Sequence, residues 1–169
     1  MTRRAKRTKS KTNPITSRTI TVPGQCVSVD QLESSTPGLL AQLKGKPTIS
    51  RYRGATIYID HFSRLSFVYL QNQLTSEETL KRKKAFERYC EARGATVKHY
   101  HVDNGQFADN AFVKHVATSC QSISYCGVNT HWQNGIAEKW TRDLQDQTTT
   151  ILLHAESRWP KAVTSNLWP

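Results

Sequence analysis

Five short runs of this chain carry the apolar, β-branched and aromatic residues of strands, and three longer stretches carry helical periodicity. Residues 26–30 (Cys-Val-Ser-Val-Asp) read as a buried strand ending in an acid. Residues 55–61 and 65–71 read as two more, and the short Phe62-Ser63-Arg64 link makes them a hairpin. Thr75 with Glu78 three residues on fits a capping box, so a helix is predicted from there to Gly94, a residue suited to the position just past a helix end. Leu80, Phe86, Tyr89 and Cys90 give that helix its apolar stripe. Residues 96–102 form the fourth predicted strand, 110–120 a short helix and 122–126 the fifth strand. From Asn134 a helix runs toward residue 157. Its Ala137, Trp140, Leu144, Thr148, Ile151, Leu152 and Ala155 recur at three- and four-residue steps, the mark of one buried face. Trp159-Pro160 breaks it, and residues 161–168 resemble the start of another helix.

Two stretches lack such patterning. Residues 1–22 show no hydrophobic period and read as a disordered arm, leaving 23–169 as one domain. Residues 31–53 are rich in Ser, Pro, Gly and Lys and read as a long loop, with one apolar patch from Leu39-Leu40 to Leu43. The predicted order is therefore strand, loop, hairpin, helix, strand, helix, strand, long helix. Three consecutive strands make an antiparallel meander, and strand-helix-strand crossovers add parallel strands. The expected architecture is α/β: a five-stranded mixed sheet flanked by helices.

Charge adds a partner. The net charge is +11, and residues 1–20 hold seven basic residues (Arg3, Arg4, Lys6, Arg7, Lys9, Lys11 and Arg18) and no acid. A basic arm on a mildly basic domain suits a polyanion, most simply nucleic acid; a solubilising tail or nuclear-import signal fits the charge equally well. The four cysteines form no C-x-x-C pair, no apolar leader precedes them, and no run approaches the ~20 apolar residues of a membrane span. Reduced thiols in an intracellular protein are expected. A zinc site from Cys120 and Cys126 with His115 or His131 has the wrong spacing for a knuckle, so core packing is expected there.

Three acids fall where such a sheet can gather them. Asp30 is placed at the end of the first strand. Asp103 ends the fourth, which can lie parallel beside the first. Glu138 stands one turn into the long helix. Three hard oxygen donors suit Mg²⁺ or Mn²⁺. Two such ions about 3.5–4 Å apart can clamp the attacking and leaving oxygens of an in-line phosphoryl displacement.

The residues around these acids carry a resemblance. Val29-Asp30, Ile59-Asp60-His61-Phe62-Ser63-Arg64, Val102-Asp103-Asn104-Gly105 and Asn134-Gly135-Ile136-Ala137-Glu138-Lys139 resemble, in that order, the catalytic core of retroviral-type integrases. The copia-type LTR retrotransposon branch of the D,D,E superfamily is the most similar. The resemblance spans about residues 24–168 and implies a ribonuclease H-like fold. It implies DNA integration by end processing and strand transfer, with Asp30, Asp103 and Glu138 as ligands of a two-metal Mg²⁺ or Mn²⁺ site. Element ends and target, both double-stranded DNA, are the implied partners of a homo-oligomer acting in the nucleus after a cytoplasmic particle stage. Asn134 and Gly135 match the loop that contacts the DNA end, and Arg142 a phosphate-contacting position. Lys139 is a weaker DNA candidate or a solvated charge, and Trp132 stacks on a base or, the preferred reading, packs in the core. Asp60 is read as structural, fixing the turn at Phe62-Ser63-Arg64.

The chain also departs from that family. Gln106 alone separates Gly105 from Phe107, one residue fewer than usual. The loop from Gln31 to Arg53 is longer than in the retroviral branch. The absence of flanking zinc and C-terminal domains suggests a C-terminally incomplete core. That leaves a catalytically inactive DNA-binding or dimerisation remnant as the alternative. A further reading is His99-x-His101-x-Asp103, similar to the zinc-binding stretch of metallo-β-lactamase-like hydrolases. Asn104, where that family has His, counts against it.

Overall fold

The computed structural model describes residues 20–40, 48–103, 105–126 and 134–168. The basic arm, Asn104, His131 and Trp132 lie outside the described residues, so the readings placed on them stand as expectations. The strands are β1 (Val27–Leu39), β2 (Arg51–Asp60), β3 (Ser66–Gln71), β4 (His99–Val102) and β5 (Ser122–Tyr125). They form one sheet in the order β3-β2-β1-β4-β5. β1, β2 and β3 pair antiparallel, while β4 and β5 add on as parallel strands. This is the mixed sheet expected from the element order. The helices are α1 (Ser76–Glu91), α2 (Asn110–Thr118) and α3 (Gly135–Arg158).

Strand alternation divides the core between two faces. On one, Val27, Val29, Tyr58, Tyr100 and Val102 meet Phe86 and Cys90 of α1 and Phe112 and Val116 of α2. Tyr58 stacks on Phe86 with ring centroids 4.6 Å apart. On the other, Ile57 and Ile59 meet Ala137 of α3, with Trp140 and Leu144 packed alongside. Each large apolar side chain so buried contributes about 1.5–3 kcal/mol.

Local signals explain the helix ends. Thr75 caps α1, its side chain accepting from Glu78 N–H at 3.3 Å. Gly94 follows with φ +76°, a conformation that favours glycine. Asp60 is buried and ties two turns together. Its Oδ1 accepts from Gly24 N–H at 2.8 Å, and its Oδ2 from Ser63 N–H and Oγ at 2.7 Å. The structural role expected for Asp60 is thus the one it plays.

Four expectations need correction. Residues 31–39 and 51–53 are not loop: β1 continues to Leu39 and pairs with β2 down to Arg51, with a register shift between Glu33 and Gly38. The ladder needs only backbone groups, and the Ser/Pro/Gly composition hid it. Asp30 accordingly lies within β1, not at its end. The apolar stripe of α3 is buried only at its start: Ala137 is inside, whereas Ile151 is 67% exposed, because the helix extends beyond the sheet. Residues 161–168 form turns and a 3-10 helix, Ser165–Leu167, whose neighbour Trp168 donates from Nε1 to Thr36 O at 2.7 Å.

Lys83 of α1 was not marked by any sequence signal, yet it is fully buried. Its ammonium donates to Glu87 Oε1 at 2.5 Å and Gln121 Oε1 at 2.7 Å, and lies 2.9 Å from His115 Nδ1. Glu87 also accepts from Tyr100 Oη at 2.9 Å and Gln121 Nε2 at 2.6 Å. This polar knot joins α1, α2 and β4 inside the core.

Candidate active site

The parallel ladder between β1 and β4 is short, ending at Ser28 opposite His101. Beyond it the two strands are no longer paired, and Asp30 and Asp103 stand two residues further along each. Asp103 Oδ1 accepts from Gly105 N–H at 2.8 Å. Asp30 Oδ1 accepts from Gln31 N–H at 2.9 Å, and its Oδ2 from Thr141 Oγ1 of α3 at 3.3 Å. Glu138 lies in the first turn of α3, which packs across β1 and β2.

The charges of Asp103 and Glu138 are both felt at Asp30. Burial raises the pKa of Asp30 above its ordinary value. The Gln31 N–H opposes this, and the neighbouring charges of Asp103 and Glu138 reinforce it. The Cys126 thiol is pushed up to about 11, first by burial and then by Asp103, Glu138 and Asp30. Cys126, just past β5, is thus within range of the charges of all three acids. Cys126 is buried, as core packing predicts, whereas Cys120, expected in the core as well, is exposed.

The acids are neighbours without being gathered tightly. Among the described residues, no three His, Cys, Asp or Glu side chains are arranged to hold a metal ion. Like charges repel, and each Asp is turned to a hydrogen-bond donor of its own. The donor set is all carboxylate, which fits a hard divalent cation better than zinc. The buried, unpartnered Oδ1 of Asn134 adds a polar acceptor near the same place.

α3 brings its functional residues to the site by spacing. Asn134, Glu138 and Thr141 recur at four- and three-residue steps and so share one side of the helix. Asn134 is 3% exposed, and its Nδ2 donates to Val29 O at 3.0 Å. Its amide nitrogen is thus bonded to β1. Gly135 is exposed, and a Cβ there would meet nothing within 4 Å. Lys139 and Arg142 are exposed on α3, where long basic side chains can reach a phosphate. The shortened turn after Gly105 becomes a 3-10 helix, Gln106–Ala108, which still inserts Phe107 into the core. Tyr125 Oη secures it, donating to Phe107 O at 3.2 Å.

The histidines of the H-x-H-x-D run belong to the sheet. His99 bonds Ser122 Oγ at 2.7 Å and Ser124 Oγ at 2.8 Å through its two ring nitrogens. His101 bonds Ser124 Oγ at 2.9 Å and approaches Cys126 Sγ at 3.5 Å. Both imidazoles are engaged by β5 side chains, which removes support from the zinc-hydrolase reading. Nearby, His61 bonds Ser28 Oγ at 2.8 Å, and its pKa is lowered to about 4 by burial and then by His101 and Arg64. The unfolded chain takes up this proton near pH 6.5, but the folded chain only near pH 4. Stability from His61 is therefore present above pH 6.5 and lost as pH falls toward 4. His61→Gln should flatten the acid limb of thermal stability by roughly 1–3 kcal/mol across that window. Identical limbs in both proteins would refute the assignment.

Solved structures share this arrangement of sheet and helices. The HTLV-2 integrase catalytic core domain in complex with magnesium superposes with a TM-score of 0.58 at 17% identity, over 87% of this chain and 82% of that one. The chain shares the fold of integrase catalytic cores. The BIV integrase core matches at TM-score 0.52 and 16% identity, over 75% of this chain and 70% of that one. A chain of the simian T-cell lymphotropic virus intasome, in complex with PP2A regulatory subunit B56 gamma, matches at TM-score 0.63 and 16% identity. That match covers 87% of this chain but only 46% of the intasome chain, so this chain spans about half its length. No protein-family model and no curated protein matches the chain. The likeness thus lies in the fold, where the integrase-like architecture is held at low sequence identity.

Proposed function

We propose that this chain is the catalytic core of a DNA integrase of the copia-type LTR retrotransposon branch, a metal-dependent polynucleotidyl transferase acting on double-stranded DNA. The observation that supports this reading most is that Asp30 and Asp103 stand two residues beyond the last β1–β4 pair, with the charges of Asp103 and Glu138 both felt at Asp30. In this reading Asp30, Asp103 and Glu138 would hold Mg²⁺ or Mn²⁺. When bound, such ions activate the attacking water or DNA 3′-OH and offset charge on the leaving oxygen. The chain's own residues do the rest. Sheet and helix fix the carboxylates at the open end of the β1–β4 gap. Lys139 and Arg142 meet the phosphate backbone, as would Arg3, Arg4, Lys6 and Arg7 of the basic arm, in a homo-oligomer working in the nucleus.

A second reading has one observation in its favour. Among the described residues no three acids are arranged to hold a metal ion, an arrangement that suits a nucleic-acid-binding or dimerisation module. A strand-transfer assay with Mn²⁺ and a double-stranded DNA end separates the two. Wild type should give product and Glu138→Gln only background. Equal product from both would refute the catalytic reading, and none from either would leave the binding module.

A further inference from the structure

Asn134 and Thr141 lie on the same side of α3 as Glu138, one turn before it and one turn after. Each reaches across to β1, Asn134 to Val29 O at 3.0 Å and Thr141 to Asp30 Oδ2 at 3.3 Å. The two anchors are consecutive residues of β1, and the second is an acid of the site. Val29 is the first residue of β1 beyond the two pairs it makes with β4, at Val27 and Ser28. At this point the parallel ladder has stopped and the carboxylates begin. A helix held to a strand at one point can still roll or slide. Held at two points a turn either side of Glu138, it can do neither without breaking a hydrogen bond.

We infer that Asn134 and Thr141 form a clamp that sets the roll and height of α3 on β1, and so the placing of Glu138 against Asp30 for a shared divalent cation. This rests on the reading of the three acids proposed above. Both are positioning residues, because they act through the carboxylates and not on a substrate. The buried burden of Asn134 agrees with such a use. The residue is 3% exposed, its Oδ1 has no partner, and leaving an amide oxygen so costs free energy that helix capping does not return. Its side chain makes no capping bond to α3, so the usual reason for Asn at a helix start does not apply. The bond to Val29 O is what remains to retain it.

The test reads cation binding directly and needs no turnover. Mn²⁺ is titrated calorimetrically into the full chain as wild type, Asn134→Ala, Thr141→Val and Thr141→Ser, with metal-free melting temperature measured in parallel. Outer-shell partners of metal ligands typically contribute 10–100-fold in affinity. Asn134→Ala and Thr141→Val should each weaken Mn²⁺ binding by about 10-fold. Thr141→Ser, which keeps the hydroxyl, should bind as wild type does. Thr141→Val is nearly isosteric, so it keeps the test decisive if Asn134→Ala unfolds. Wild-type affinity in Thr141→Val, or equal weakening in Thr141→Ser, overturns the clamp while leaving the acids as ligands. No Mn²⁺ binding by wild type overturns the metal reading and the clamp together.

Discussion

Lys83→Met should remove a large part of the stability of this fold, about 3–5 kcal/mol in urea unfolding, although it keeps most of the side chain's volume. Lys83 is fully buried, and its ammonium satisfies Glu87 and Gln121 while lying 5.0 Å from the Tyr100 ring centroid and 5.8 Å from that of Phe112. Burial lowers the Lys83 pKa, and the hydrogen bond and charge of Glu87 pull it back. For Glu87, burial works to raise the pKa, and the bonds from Lys83 and Gln121 overcome it to hold the carboxyl below its ordinary value. Each charge is therefore tolerable because of the other. Removing the ammonium leaves a carboxylate in the core with only Tyr100 and Gln121 to solvate it, and the loss comes mainly from that uncompensated charge. The total stability of a domain this size is about 5–15 kcal/mol, so such a loss brings it near the unfolding threshold. The double variant Lys83→Met/Glu87→Gln tests the cause. With both charges gone, it should recover at least half of the loss, giving a strongly non-additive cycle. A single-variant loss under about 1 kcal/mol, or a double variant equal to the sum of the singles, would show that the pair is not coupled as described.

Such a knot also shows where sequence reading stops. Strand runs such as residues 55–61 announced themselves, because half-buried alternation and β-branched residues follow directly from the pleat. The turn at Phe62-Ser63-Arg64, the Thr75 cap and the Gly94 end were legible for the same reason: each is a local geometric demand met by a residue type. The three acids were legible as types at motif spacing, and in the fold the charges of Asp103 and Glu138 act on Asp30. What local pattern does not encode was missed. Lys83 stands in a run of charged residues, Lys81-Arg82-Lys83-Lys84, where three face outward or partly so and one faces the core. Only the packing of α1 against α2 and against Tyr100 of β4 distinguishes it. The extension of β1 to Leu39 was hidden because its pairing with Arg51 and Tyr52 uses backbone groups that any composition supplies. The bond from Asn134 to Val29 O, 105 residues away, was not visible either. Long-range hydrogen bonds of this kind have no sequence period.

Asp30→Asn should raise the melting temperature of the metal-free protein at pH 7 and abolish the strand transfer proposed for it. The side chain is isosteric, and its Oδ1 can still accept from Gln31 N–H, so local structure is kept. What changes is charge. Burial, then Asp103 and Glu138, raise the Asp30 pKa, which means the folded state resists its ionisation. A carboxyl raised in the folded state costs stability above its folded pKa, and that cost disappears as pH falls through it. A neutral amide removes the cost where the wild type is ionised. The gain should therefore be present at pH 7 and shrink toward pH 4. A gain near 1 kcal/mol corresponds to roughly 2–4 °C in a domain of this size. Added Mn²⁺ should reverse the order, because a cation that binds only the folded wild type stabilises it by mass action and does little for the variant. Activity should fall by on the order of 10³-fold, the equivalent of the several kcal/mol that metal-assisted charge stabilisation supplies. A site assembled for chemistry holds its acids together against their own repulsion, whereas three acids placed for folding would not become more stable on losing one. If Asp30→Asn melts below wild type without metal, or retains strand transfer, Asp30 belongs to the fold and not to a reaction.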